Sequence, residues 1–534
     1  MFRFLTFACL LLAVPVLGVL GSWLALDAAG IEALSRQFHT VLPEYALSSL
    51  LLVVLVAVGV AIVGGATAAL VSLFDFPLRR VFEWALLLPL AMPAYVLAYA
   101  ATDFLQFSGP LQTGLRALTG AQGALWPDVR SLGGAAVLFV LCLYPYVYLL
   151  TRAALNERGV KLMEAARLLG AGTGRRIRAV ALPLARPAIA AGVALALMET
   201  LADYGVGSYF GLQTFTTGIY KAWLVMNDRN GAAQLASLLL LLVAVLLKLE
   251  HTAQKRLRFA SSRSNATQGT EARPLRLNGA RAALAVAVCA APVLLGFVLP
   301  VMVLLRLLWQ EAALGEAGLP LARFAQWSWT SFKLAGAGAL LATSVALALA
   351  FALRLKPNRP LRWAARVVSL GYAVPGAVIA VGILLPVGWL QAQVPQAGTT
   401  ALVTGTVFGL MYAYLVRFSS VALQSVEAGY ARLPTAIDET ARMLGSSRRR
   451  LFAELHFPLL KRASFAALLL VFVDVMKELP ATLVLRPFNS DTLAVVAYQL
   501  ARDERLGEAA LPSLAIVLVG LIPVMMLSRA MRES

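Results

Sequence analysis

The stretch Glu164-Ala-Ala-Arg-Leu-Leu-Gly170 returns 275 residues later as Glu439-Thr-Ala-Arg-Met-Leu-Gly445. Agreement at that one offset continues through Arg175/Arg450, Pro183/Pro458 and Leu184/Leu459. Ala, Leu, Arg and Glu are good helix formers. Glu164 and Leu168 stand one turn apart, as do Ala165 and Leu169, so the pattern predicts a short helix with an apolar side. Gly170 and Gly445 can each take the left-handed conformation that ends a helix. A repeat of this length marks a duplicated structural unit, and the flanking sequence says what kind.

Those flanks are apolar. Of 534 residues, 60% are hydrophobic and only 14% charged, against about 45–50% and about 25% in a soluble domain. Continuous apolar runs of about 20 residues read as membrane helices. Their continuity argues against an alternating β-barrel pattern. Twelve runs are expected: 4–24, 46–73, 82–102, 133–151, 187–204, 232–249, 282–308, 332–353, 367–390, 401–420, 464–482 and 509–528. The first is read as a retained helix, because no small-residue cleavage site follows it. The fold class is therefore all-α and integral to the membrane. Its two homologous six-helix halves, 1–249 and 282–534, are joined by a linker at 250–281. That linker is basic and polar, with Ser261, Ser262, Ser264 and Thr267 in it.

The net charge of +19 would suggest nucleic acid in a soluble protein. With the N-terminus in the cytoplasm, 34 of the 46 Lys and Arg fall in inside segments. The excess is thus a topology signal that places both termini and both repeat loops inside, and no nucleic-acid partner is expected. Cys9, Cys142 and Cys289 lie in apolar runs, and His39, His251 and His456 are scattered. Neither a disulfide framework nor a resident metal site is expected, and no nucleophile–base cluster suggests an enzyme. Gly170-Ala-Gly172-Thr-Gly174 follows a helix and lacks the Lys of a P-loop, so it reads as a turn.

Ionisable residues within spans are functional candidates, because a mid-membrane charge costs about 2.5–3.5 kcal/mol on insertion scales. Glu199 and Asp203 lie late in the fifth span, and Asp474, Lys477 and Glu478 late in the eleventh. The offset of 275 pairs Glu199 with Asp474 and Asp203 with Glu478. Those four carboxylates are candidates for a cation path or gate; the alternative is a local pair such as Lys477 with Asp474. Pro89, Pro93, Pro375 and Pro386 are expected to kink their spans.

The repeated loop resembles the EAA motif of permease subunits of ATP-binding-cassette (ABC) importers, carried by Glu164, Ala165, Ala166, Gly170, Leu182 and Pro183. The second copy has Glu439, Thr440, Ala441, Gly445, Phe457 and Pro458, departing at Thr440 and Phe457. Over both halves the chain is similar to fused two-copy permeases of the type I importer class. Met198–Trp223 and Met476–Thr492 resemble the ferric-iron permeases. The resemblance implies a multi-pass protein of the bacterial inner membrane and two ABC ATPase subunits docked on the repeat loops. It also implies an extracytoplasmic substrate-binding protein, and ATP bound on the partner subunits, with no cofactor on this chain. Ferric iron is the implied cargo; thiamine, a phosphonate or another small solute is the alternative. A secondary carrier would share the helix count but would have no use for two matched docking loops.

The charge distribution predicts that single cysteines placed beside Gly170 and Gly445 resist an impermeant thiol reagent added from outside and react once the membrane is opened. Labelling of either from outside would overturn the orientation.

Overall fold

The computed structural model describes residues 2–25, 28–156, 160–262, 275–315, 318–356 and 358–533. The fold is all-α. In the first half the main helices are α1 (Phe2–Leu11), α2 (Val14–Gly21), α3 (Leu42–Leu73), α4 (Ala94–Leu105), α5 (Leu132–Ala154), α6 (Val160–Leu168), α7 (Leu182–Ala202), α8 (Gly205–Tyr209), α9 (Phe215–Tyr220) and α10 (Arg229–Ser262). The second half repeats them in order as α11 (Ala280–Val293), α12 (Leu299–Leu314), α13 (Leu321–Leu355), α14 (Gly376–Gln393), α15 (Phe408–Tyr430), α16 (Thr435–Met443), α17 (Phe457–Met476), α18 (Pro480–Leu485), α19 (Leu493–Arg502) and α20 (Leu506–Glu533). Among the described residues the extended pairing is a two-residue parallel ladder, β1 (Phe74–Asp75) with β2 (Leu275–Arg276).

Among the described residues, eight helices are long and apolar enough to cross a membrane, and ten if each of two bent pairs counts as one span. α15 and α17 complete the expected twelve. They are less apolar because α15 carries Arg417 and several hydroxyls, and α17 carries Lys461, Arg462 and Asp474. The tenth span lies at Phe408–Tyr430 rather than 401–420. Arg417, near the end of the expected span, is consequently a buried mid-helix residue. α10 runs on to Ser262, so the first part of the expected linker is helical; 263–274, with Ser264 and Thr267, lie outside the described residues.

Pro93 sits at a 92° bend between Arg79–Ala91 and Ala94–Thr119. Pro93 and Pro375 adopt nearly the same extended conformation, ψ 140° and 142°, immediately before α4 and α14. Proline fixes φ and starts a helix without leaving an N–H unpaired. Pro386, by contrast, lies inside the continuous α14. Three further prolines share one effect. The π-helical turns Ile177–Ala181, Leu294–Val298 and Leu451–His456 end just before α7, α12 and α17, whose second residues are Pro183, Pro300 and Pro458. A proline ring clashes with the carbonyl four residues back, and widening the preceding turn relieves it.

The chain packs as two compact units, and each draws on both halves. One comprises 1–37, 218–240 and 320–496; the other comprises 38–217, 241–319 and 497–534. In the second, α3, α5 and α7 meet through glycines. A Cβ at Gly64 would lie 2.7 Å from the Tyr144 carbonyl oxygen, and one at Gly192 2.6 Å from Val147 Cα. Small residues of this kind let membrane helices approach to backbone contact. In the first unit, α13, α15 and α17 form the corresponding bundle, and α2 crosses α14 at Gly18 and Gly382.

A Cβ at Gly382 would fall 2.1 Å from the Pro15 carbonyl oxygen, a backbone atom that cannot swing away. Gly382→Val should therefore destabilise the α2–α14 contact by roughly 1–3 kcal/mol and lower the melting temperature of the purified chain. Gly336→Val, where a Cβ meets open space, is the control; equal melting of the two variants would contradict this crossing.

Candidate functional site

α6 and α16 are the two repeat loops in folded form, and their ranges differ by the same 275 residues as their sequences. Both end in the same way. The Gly170 N–H reaches the Arg167 carbonyl and Ala171 N–H reaches Ala166, with Gly170 at φ +80°. Gly445 N–H reaches Arg442 and Ser446 N–H reaches Ala441, with Gly445 at φ +76°. This pair of bonds is the Schellman termination, which needs a left-handed residue. No atom lies within 4 Å of a Cβ built on either glycine, so within the chain the requirement is conformational and not steric.

The face presented before each glycine is bare. Leu168 and Leu169 are 85% and 88% exposed, and their counterparts Met443 and Leu444 are 89% and 81% exposed. Glu164, Ala165, Glu439 and Thr440 are exposed beside them, while Ala166 and Ala441 are half-buried. Pro183 and Pro458, at the entry to α7 and α17, are exposed. Pairs of large apolar side chains thus project almost wholly from a helix end, twice, at equivalent positions, and exposed apolar surface of this kind is characteristic of interaction sites.

Beneath these matching faces the two helices are held differently. Met163 of α6 packs in an apolar cluster with Leu73, Leu155, Ala181 and Ala185. At the offset of 275, Leu155 becomes Tyr430, Met163 becomes Asp438 and Ala181 becomes His456. There the anchor is a buried polar chain. Asp438 Oδ2 accepts from Arg354 Nε at 2.6 Å, and Asp438 Oδ1 lies 2.9 Å from His456 Nε2. His456 Nδ1 lies 3.0 Å from the Tyr430 hydroxyl, and Arg354 Nη2 donates to the Leu433 carbonyl at 2.9 Å. Burial alone would raise the Asp438 carboxyl above its ordinary 3.8. The hydrogen bonds and charges of Arg354 and His456 outweigh burial and hold it lower.

The intramembrane carboxylates end the long helices. Asp203 Oδ1 accepts from the Val206 N–H at 2.8 Å, at the start of α8. Glu478 Oε1 accepts from Ala481 N–H at 2.8 Å and Oε2 from Thr482 N–H at 2.9 Å, at the start of α18. Both therefore cap a short helix after the break that ends α7 or α17. Glu478 is also paired with the buried Arg417, 3.5 Å away. Asp474 pairs with Lys477 at 3.1 Å, and Glu199 is half-buried on α7. Arg417 was missed from sequence because the tenth span was set too early; aligning α15 on α5 at the repeat offset would have placed it mid-membrane. Ser49 and Ser331 were also missed. Their hydroxyls accept from Phe215 N–H at 3.1 Å and from Leu493 N–H at 2.8 Å, the first amides of α9 and α19. Among the described residues, no group of three His, Cys, Asp or Glu could hold a metal ion.

Comparison with known proteins agrees with this duplicated geometry. The family described as binding-protein-dependent transport system inner membrane component matches residues 61–258 and 338–532. The chain is 25% identical to the Fe(3+)-transport system permease protein FbpB 2 of Haemophilus influenzae, over 92% of this chain and 91% of that one. A probable ABC transporter permease of Sinorhizobium fredii is 24% identical over 94% and 88%. A putative 2-aminoethylphosphonate transport system permease protein of Salmonella typhimurium is 28% identical over 34% of this chain and 64% of its own length.

Asp438→Asn removes a charge from the buried anchor and should loosen α16 by roughly 3–5 kcal/mol. Hydrogen exchange should quicken over 435–456 and stay unchanged over 160–181. Replacing all four anchor residues with apolar ones (Arg354→Leu, Tyr430→Leu, Asp438→Met, His456→Ala) should restore protection. The carboxyl is held below its ordinary value, so its contribution is full above pH 3.8 and fades as pH falls through the lower folded value. Unchanged exchange in Asp438→Asn would refute the anchoring role.

Proposed function

The chain belongs to the binding-protein-dependent transport system inner membrane components, and we propose that it forms the whole membrane pathway of an ATP-driven importer of ferric iron. The observation that carries this reading is the pair of bare apolar helix ends, Leu168-Leu169 and Met443-Leu444, each fixed by a left-handed glycine. Two identical outward geometries suit two copies of one partner. On this reading each end sits in a cleft of an ABC ATPase subunit, and the chain itself, without a P-loop, hydrolyses nothing. Closure of the two ATPase subunits on ATP then moves both docking helices together. Because α6 and α16 lead through π-helical turns into α7 and α17, the stroke is delivered to the helices that end at Asp203 and Glu478. An extracytoplasmic binding protein supplies the cargo on the opposite face.

Ferric iron is supported by the likeness to the Haemophilus influenzae permease along almost the whole chain. With Asp203 and Glu478 already engaged as caps, their part is to position the short helices α8 and α18, not to hold iron. The second reading, a phosphonate, rests on the shorter match to the Salmonella typhimurium protein. Cargo selection then lies with the binding protein.

In vesicles reconstituted with the cognate ATPase and binding protein, ferric iron should enter only with ATP. Glu164→Lys combined with Gly445→Val should abolish entry while the chain stays folded, since the glycine sits at a left-handed φ that costs a β-branched residue about 1–2 kcal/mol. Uptake that survives both changes would refute docking. Entry of 2-aminoethylphosphonate but not iron would leave docking intact and overturn the cargo.

A further inference from the structure

A groove of about 960 Å³ opens between α3, α7 and α10, within one packing unit. Its walls are small and apolar: Ala61 from α3, Ala190, Val193 and Leu197 from α7, and Leu246 from α10. Its polar groups gather at one end, where Arg186 near the start of α7 and Lys248 on α10 line it with Thr252. Both cations are exposed, and among the described residues neither side chain has an ion-pair or hydrogen-bond partner. Arg186 stands three residues after Pro183, so the charged end is the end nearest the first docking helix.

The dimensions fit one leaflet. From Arg186 to Leu197 is 11 residues of helix, about 16 Å at 1.5 Å per residue, and half of a ~30 Å hydrocarbon core is about 15 Å. The groove thus carries its cations at headgroup level and its apolar walls along the depth of an acyl chain. A neutral lipid would leave both cations without a counter-charge. A polar cargo would find no hydrogen-bonding groups below them.

We propose that this groove is a binding site for an anionic glycerophospholipid of the leaflet facing the docking helices, its phosphate on Arg186 and Lys248 and one acyl chain between α3, α7 and α10. The lipid ties the first turns of α7, which carry the motion of α6, to α10. It does so in the first half only: at the repeat offset Arg186 becomes Lys461, but Ala190 becomes Phe465, whose bulk removes the small-residue wall. The inference is independent of which cargo is carried.

The full chain is reconstituted in nanodiscs of equal phosphatidylglycerol and phosphatidylcholine, and the lipid retained after detergent extraction is identified by native mass spectrometry. Phosphatidylglycerol should be retained over phosphatidylcholine by roughly 10–30-fold, as two interfacial cations imply. Arg186→Gln with Lys248→Gln should erase that preference. Ala190→Phe, which fills the groove from an exposed wall position and leaves the cations, should displace the lipid while the chain melts normally. Inorganic phosphate at millimolar concentration should displace nothing. Equal retention of the two lipids by the native chain, or retention unaffected by Ala190→Phe, would overturn the site. Displacement by inorganic phosphate would assign the cations to a free anion and overturn the lipid.

Discussion

A bilayer interior supplies no water to a helix end, so every backbone N–H exposed by a break must be met by the protein. This constraint sets much of the observed detail. α7 and α17 both stop and restart, and a carboxylate, Asp203 or Glu478, accepts the freed amides at each restart. One segment later, Ser49 and Ser331 reach across from α3 and α13 to do the same for α9 and α19. The breaks before α4 and α14 use the other solution, a proline that has no N–H to satisfy. Charge in these spans is thus first a requirement of interrupted helices. In the second half Glu478 is countered by Arg417; at the repeat offset the first half has Cys142 in place of that arginine.

The repeated helices α6 and α16 show which part of a duplicated unit is held fixed and which is free. Outside, the termination, the left-handed glycine and the two exposed apolar side chains agree position for position. Inside, an apolar cluster around Met163 and a charged chain around Asp438 do the same mechanical job. Packing interactions tolerate such replacement when the whole set changes together, because a satisfied network and an apolar cluster are comparable in stability. A mixture of the two would leave a buried charge alone.

What was legible in the sequence was local or periodic. The apolar runs, the basic loops, the repeat and the short helices ending at Gly170 and Gly445 all follow from residues close together in the chain. Placement of the path candidates on late turns of the fifth and eleventh spans was legible too. Their engagement as helix caps was not, because it depends on where each helix breaks. The anchors of α6 and α16 were out of reach for a different reason: Arg354 and Asp438 are 84 residues apart, and no periodicity announces such a pair. Arg417 stands near the end of the expected span 401–420, and only the later placement of that helix, at Phe408–Tyr430, makes it a mid-helix charge.

The make-up of the two packing units has a consequence for synthesis. Residues 1–37 pack with 320–496, and 38–217 pack with 241–319 and 497–534. α1 and α2 therefore emerge from the ribosome several hundred residues before the helices they bury against, and α4 waits for α12 and α20, which pack on it from the other half. Neither half can reach its final packing while the other is unmade. The order of translation is not the order of assembly, and the early helices need a holding environment in the membrane until the C-terminal segment arrives. Fusion of the two halves in one polypeptide guarantees that the awaited partner comes, once, and in equal number.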